Sequence, residues 1–237
     1  MMSEHSANPP AHTEKKPSFK GGFFITGTDT EIGKSFVSGC IAKSLLAAGF
    51  EVLPRKPIAS GCIKQADGSL LSEDALFLQQ SSQTHLSLRE ICNYQFEAPI
   101  SPQRAIASSD TIINIADLAA ACRLSDAVDK QITLVEGAGG FYSPLALDGL
   151  NADLAERLQL PVILVVGNRL GCINQALLSI EAIGNRGLHI HCIVVNDISA
   201  DADIDNFTDL QSLTDIPVLH NSYNENKEAL PLSGFSI

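Results

Sequence analysis

Short apolar runs alternate with stretches of helical periodicity along most of the chain. Residues 23–26, 132–135, 161–167, 192–195 and 216–219 are apolar with scarcely a polar interruption, the texture of strands buried on both faces of a parallel sheet. After the first run, Phe36, Val37, Cys40, Ile41, Leu45 and Leu46 recur at helical spacing and stop at Gly49, a helix terminator. Helical patterns return at about 72–78, 112–128, 171–186 and 204–213. The repeated strand and helix signals predict an α/β chain. Pro54 and Pro57 interrupt the extended run 52–58, which puts it at a sheet edge or makes it an irregular strand. Residues 93–104, with Pro99 and Pro102, read as extended and loop-like, and a polar segment rich in Asn and Glu follows residue 219. Residues 1–20 carry almost nothing apolar and read as a mobile tail, while 21–237 read as one domain without internal repeats.

The first strand leads into Gly27-Thr28-Asp29-Thr30-Glu31-Ile32-Gly33-Lys34-Ser35 and then a helix. At such a turn the first helical N–H groups lack intrahelical partners and the helix dipole adds about half a positive charge, so polyphosphate suits the site. Gly33 lets the backbone approach phosphate, Lys34 can reach the β and γ oxygens, and the Ser35 hydroxyl can take a place on Mg²⁺. The strict pattern G-x-x-x-x-G-K-[ST] is missed by one position: Thr28 stands where its first glycine belongs, and Gly27 comes one residue early.

Glu136 ends the run 132–135 and is followed by Gly137-Ala138-Gly139-Gly140. A carboxylate at a buried strand tip, with small residues clearing space beside it, suits Mg²⁺ or its water opposite the cradle serine. In Lys56-Pro57-Ile58-Ala59-Ser60-Gly61, Lys56 and Ser60 can face the carboxyl edge of a parallel sheet, where open α/β proteins put their ligands. A solvated lysine in a plain loop fits the same residues. Glu73 and Asp74 open a helix and offset its dipole, or one of them completes a Mg²⁺ shell. Gly171-Cys172-Ile173-Asn174 opens another helix at a strand end, whose free N–H groups suit a carboxylate unless Asn174 or water satisfies them. Asn196-Asp197 closes the run 192–195. An asparagine there offers a donor and an acceptor to a purine edge, or forms an Asx turn. His189 and His191 share one face but have no third metal ligand in sight, which favours surface or packed histidines.

Composition narrows the picture. Of 237 residues, 45% are hydrophobic and 18% charged, which favours one domain with a large core. No apolar run approaches the roughly 18 residues of a membrane span. A formal net charge of −11 opposes any general affinity for nucleic acid or anionic membrane. Six cysteines without a C-x-x-C pair, and no secretory signal, imply a reduced cytoplasmic protein whose cysteines mostly pack.

Taken together and in this order, the cradle, the Lys56 and Glu136 segments, Leu170-Gly171-Cys172-Ile173-Asn174 and Asn196-Asp197 resemble the dethiobiotin synthetase family, whose cradle carries the same displaced glycine. The resemblance covers roughly residues 23–219. It implies a P-loop NTPase-like α/β domain, a mostly parallel sheet with helices on both faces, acting as a homodimer with substrate near the interface. It implies ATP and Mg²⁺ as cofactors, and diaminopelargonic acid and CO₂ as substrates that are converted through a carbamate and its phosphorylated anhydride to a cyclic urea. Carried over residue by residue, Lys34 and Lys56 are the catalytic pair, and Ser35, Asp74 and Glu136 the Mg²⁺ positions. Thr30, Glu31, Ile32, Gly33, Lys34 and Ser35 wrap the triphosphate, with Gly137, Ala138 and Gly139 beside it. Asn196 and Asp197 lie at the adenine, Ser60 at the diamine, and Gly171, Cys172, Ile173 and Asn174 at the substrate carboxylate across the dimer interface. Partitioning and septum-positioning ATPases share the fold, but they usually carry a second lysine early in the cradle, where this chain has Thr28-Asp29-Thr30.

Overall fold

The computed structural model describes residues 21–124, 129–226 and 228–237, so the expected tail at 1–20 lies outside the described residues. The chain runs β1 (Gly22–Gly27), α1 (Lys34–Ala47), β2 (Glu51–Arg55), β3 (Ile58–Ala59), β4 (Ile63–Lys64), β5 (Leu70–Leu71), α2 (Glu73–Ser82), α3 (Leu88–Ile91), β6 (Tyr94–Gln95), α4 (Pro102–Ala107) and α5 (Ile115–Ala121). It continues with β7 (Gln131–Gly140), β8 (Pro144–Ala146), β9 (Gly149–Leu150), α6 (Asn151–Leu158), β10 (Val162–Asn168), α7 (Cys172–Asn185), β11 (Ile190–Asp197), α8 (Asp205–Leu213) and β12 (Val218–Asn221).

Six strands form one parallel sheet in the order β12-β11-β10-β1-β7-β2. The alternation along β1 shows why its sequence is apolar throughout. Phe23 and Ile25 face a cluster with Val37, Cys40, Ile41 and Leu45 of α1, while Phe24 faces the opposite cluster with residues of α5, α6, α7 and α8. Both faces are therefore covered, and a strand with two buried faces has no polar side to show. β2, with Pro54, is an outer strand, as its prolines predict.

Three sequence expectations are corrected. The strand that was to stop at Glu136 runs on to Gly140, because its pairing with β1 shifts after Ile25↔Glu136 and resumes at Gly27↔Gly140. A bulge of this kind bends the strand end and re-aims its side chains. The loop-like stretch 93–104 contains β6 and the start of α4, where Pro102 takes a first-turn position that needs no N–H. The helical pattern at 112–128 forms a helix only over Ile115–Ala121, and residues 125–128 lie outside the described residues.

The polar segment after β12 is also less polar in its packing than in its composition. Ala229 and Leu232 are buried against the α1 face, and Phe235 packs beside them. The Leu232 amide donates to Ser44 Oγ at 2.7 Å, and Phe235 stacks near Phe23 and His191. His191 is thus a packed histidine, its Nε2 2.9 Å from the Ser236 carbonyl. All six cysteines are buried and free, in line with a packing role.

Candidate active site

The carboxyl ends of β1, β7 and β2 meet the first turns of α1 and α2, and the polar side chains at those ends converge. Lys34 is the first residue of α1 and is 8% exposed, with Nζ donating to the Asp29 carbonyl at 2.7 Å. One residue on, Ser35 Oγ donates to Glu136 Oε1 at 2.7 Å. One turn further, Ser38 Oγ lies 2.6 Å from Glu136 Oε2 and 2.9 Å from the Lys34 carbonyl. Its single proton goes to the nearer, charged acceptor. Residues at i and i+3 share a helix face, so one carboxylate within β7, where its pairing with β1 shifts, grips two hydroxyls of α1.

Lys56, just beyond β2, enters from the other side. Its Nζ donates to Glu136 Oε1 at 2.6 Å and to Asp74 Oδ2. Asp74 sits in the first turn of α2, a helix started by Ser72, whose Oγ accepts from the Ala75 amide at 3.2 Å. The Lys56 amide is fixed too, donating to the Ile91 carbonyl at 2.8 Å. Lysine in a buried position survives only when paired, and Lys56 is paired twice.

These surroundings move the two lysines in opposite directions. Burial pushes the Lys34 amine down to about 8, with the nearby Lys56 charge adding to the effect. Burial would also lower Lys56, but the Glu136 and Asp74 carboxylates outweigh it and hold Lys56 above the ordinary lysine range. Burial would raise Asp74, and the Lys56 ammonium overcomes that to keep it below the ordinary carboxylate range. At neutral pH Lys34 and Lys56 are therefore ammonium groups and Asp74 a carboxylate.

A cleft of about 650 Å³ opens above them. Thr30, Glu31, Gly33, Lys34 and Ser35 line one side, Lys56, Ser60 and Asp74 another, and Ala138 and Gly139 a third. So most of the expected site residues share one cavity. The sequence reading missed the remaining wall, Pro99, Ile100, Ser101 and Pro102, and it missed Ser38. Serine at that helical spacing from Lys34 was the available signal for Ser38. The wall gave none, since proline-rich stretches look alike whatever they face.

Other expected residues lie around the cleft rather than in its lining. Ile32 is fully buried beneath the loop and Glu136 is 1% exposed below the floor. Gly137 faces Asn151, whose Oδ1 would stand 2.2 Å from any Cβ placed there. Asn196 is 3% exposed behind the loop. Its Nδ2 donates to the Ile32 carbonyl at 2.9 Å, and its Oδ1 accepts from Asn221 Nδ2 at 2.7 Å. Gly33, in the left-handed region at φ 82°, leaves the space this amide fills, because a Cβ there would meet Asn196 Nδ2 at 2.3 Å. The glycine thus answers to the strand behind it as well as to any ligand in front. Asp197 accepts from Asn168 Nδ2 at 2.7 Å and lies 2.9 Å from His220 Nε2. Gly171 caps α7 in the left-handed region without a side-chain cap. Cys172 is buried, Ile173 half-buried and Asn174 exposed.

A parallel sheet whose central strand delivers a Gly-Lys-Ser helix start, with an acidic residue of the neighbouring strand against the serine, defines a P-loop type of nucleotide-binding α/β protein. A family model described as AAA domain matches residues 21–224. Solved structures agree at the level of the fold. A ParA family ATPase from Chlorobium tepidum superposes with TM-score 0.51 at 14% identity, covering 88% of this chain and 86% of that one. The signal recognition particle receptor FtsY from Elizabethkingia anophelis gives TM-score 0.52 at 14% identity, covering 95% of this chain and 63% of the receptor. Sequence relatives go further. An ATP-dependent dethiobiotin synthetase from Cellvibrio japonicus is 42% identical over 185 residues, 78% of this chain and 80% of that protein. Those of Ruthia magnifica and Escherichia coli K12 are 37% and 40% identical, over 86% and 75% of this chain and 92% and 78% of theirs. The chain belongs to the dethiobiotin synthetase family.

Proposed function

We propose that the chain makes dethiobiotin from 7,8-diaminopelargonic acid, CO₂ and ATP, releasing ADP and phosphate. The observation that carries this reading is the pairing of two buried lysines, one on the phosphate-type loop and one on Glu136 and Asp74, beneath a single cleft in a member of this family. One amine of the diamine adds to CO₂ and loses a proton, giving a carbamate. A carbamate is a poor electrophile because its leaving group would be oxide. Its oxygen therefore displaces ADP from the γ-phosphoryl group, and the second amine then attacks the carbonyl carbon, closes the ring and expels phosphate.

The phosphoryl transfer brings the carbamate anion against the γ-phosphate, and that repulsion is what buried cations relieve. Lys34 meets the β and γ oxygens on leaving the Asp29 carbonyl, and Lys56 faces the carbamate and γ-phosphoryl group. Thr30 to Ser35 wrap the triphosphate, while Asn196 acts on it through the loop it braces. Ser60 and the wall at 99–102 bound the diamine. Ser35, Asp74 and Glu136 suit Mg²⁺. All three offer hard oxygen, the donor type of an ion that keeps its waters and shares phosphate oxygens. When bound, the ion neutralises phosphate charge.

The active form is a homodimer in which the α7 start of the second copy, Gly171 to Asn174, takes the substrate carboxylate on its free N–H groups. Exposed apolar side chains near that helix, Leu170, Leu178 and Tyr142, support pairing. No helix among the described residues is long and apolar enough to cross a membrane, and the six reduced cysteines suit a cytoplasmic setting. The test is phosphate release from MgATP with bicarbonate, with and without the diamine, and mass spectrometry for the cyclic urea. Release that depends on the diamine and yields the urea is expected. Release indifferent to the diamine, or none, would overturn the assignment.

A further inference from the structure

The loop read as the polyphosphate site contains two acids: Glu31, which is exposed at the cleft, and Asp29, which is partly buried and held by neighbours. Asp29 lies between Thr28 and Thr30 in the turn from β1 to α1, four residues before the glycine that opens the helix. A carboxylate beside several phosphate charges should repel them, so its presence needs a reason and a remedy. The reason is local. Asp29 Oδ1 accepts from the Thr30 amide at 2.8 Å, and the Asp29 carbonyl accepts from Lys34 Nζ at 2.7 Å. A short side-chain acceptor is what holds such a turn in shape. Thr30 in turn lines the cleft, so the cap fixes a residue that faces the ligand.

The remedy comes from a different segment. Arg169 lies in the connection between β10 and α7, far away in sequence but adjacent in the sheet because β10 pairs with β1. Its Nη2 donates to Asp29 Oδ2 at 2.6 Å, which leaves Oδ1 to the Thr30 amide. The two carboxylate oxygens are thus divided between cap and counter-ion. The Thr30 amide and Arg169 both favour the anionic carboxylate. Protonation therefore offers no escape at working pH.

We propose that Arg169 is the counter-ion that lets the phosphate loop keep Asp29, so that it sets nucleotide affinity by cancelling a built-in repulsion without touching the nucleotide. The proposal rests on the reading of this loop as the triphosphate site. It makes Arg169 a positioning and charge-balancing residue and predicts opposite behaviour for the two partners. Arg169→Met exposes the loop to an uncompensated negative charge. Asp29→Asn removes the charge but keeps an oxygen for the Thr30 amide.

The experiment is calorimetric titration of MgATP, without diamine, into the parent, Arg169→Met, Asp29→Asn, the double variant and Lys34→Ala. One uncompensated unit charge near phosphate in a half-solvated site changes affinity about fivefold. Arg169→Met is therefore expected to bind about fivefold more weakly. Asp29→Asn should bind as tightly as the parent or somewhat tighter, and the double variant should return to within about twofold of the parent. The Arg169→Met deficit should shrink as salt rises from about 50 to about 500 mM, because the charge is partly exposed. Equal weakening in both single variants, with no recovery in the double, would identify a purely structural strap and overturn the proposal. If the parent fails to bind, or Lys34→Ala binds as the parent does, the phosphate reading itself falls. Parental binding with a Lys34 effect but no Arg169 effect overturns the counter-ion alone.

Discussion

The proposed phosphate lysine, Lys34, is held where an ammonium is unwelcome, so replacing it with an apolar residue of similar length should stabilise the protein while disabling it. Its amine is lowered from an ordinary 10.5 to about 8, chiefly by burial, which at 1.36 kcal/mol per pKa unit corresponds to about 3 kcal/mol. In the window between the two values the unfolded chain holds more protons than the folded one, so stability contributed by this group rises with pH. The full cost is present below about pH 8 and disappears as pH passes 10.5. Lys34→Met removes that cost but also the bond to the Asp29 carbonyl, worth about 1 kcal/mol. The net expectation at pH 7 is a gain of about 2 kcal/mol, or about 4–8 °C in Tm for a chain of this size. At pH 10.5 the gain should vanish or turn into a loss of about 1 kcal/mol. Because the chain has no Trp, urea unfolding is best followed by circular dichroism, on parent and variant at both pH values. Comparison at each pH cancels other titrating groups. A variant less stable than the parent at pH 7, or a gap identical at both pH values, would refute the reasoning. Turnover in the variant should fall by orders of magnitude.

Three further outcomes follow from the same contacts. Ser38→Ala takes a buried donor from Glu136 Oε2 and should cost about 1.5–3 kcal/mol in urea unfolding; an unchanged midpoint would mean the carboxylate does not depend on it. Glu136→Gln should raise the Mg²⁺ concentration that half-saturates turnover, and a titration matching the parent would remove Glu136 from the ion's ligands. Leu232→Ala, at a position 5% exposed on the α1 face, should cost about 2–5 kcal/mol, and parental unfolding would show that the last segment does not seal that face.

How much of this was written in the residues varies from place to place. The strands were legible because a strand buried on both faces must be apolar along its length, and Phe23, Phe24 and Ile25 are. The convergence of Lys34, Ser35, Lys56, Asp74 and Glu136 was legible only with the family resemblance, since the residues alone left Lys56 as a solvated loop lysine and Asp74 as a helix-dipole partner equally open. The course of β7 past Glu136 was not legible, since glycines read as a loop whether or not a bulge lets them stay paired. Nor was the amide of Asn196 at Gly33. A sequence shows that a glycine lacks a side chain, but only packing shows which neighbour uses the space. The burial of Leu232 and Phe235 was hidden for a related reason, as isolated apolar residues in a polar stretch carry no period.

The strand order has a kinetic meaning. β1, which carries the phosphate loop, lies between β10 and β7, and Phe24 is paired with Val135 on one side and Val162 on the other. Contacts so distant along the chain are slow to form, because the entropy of closing long loops is spent before the pairing energy is gained. The loop's geometry depends on Glu136, Asn196 and Arg169, all from segments that must already be in register. Until β7, β10 and β11 have assembled, the first strand has no neighbours and its loop no shape. The nucleotide site is therefore complete only when these strands are in register, so its geometry depends on the whole sheet.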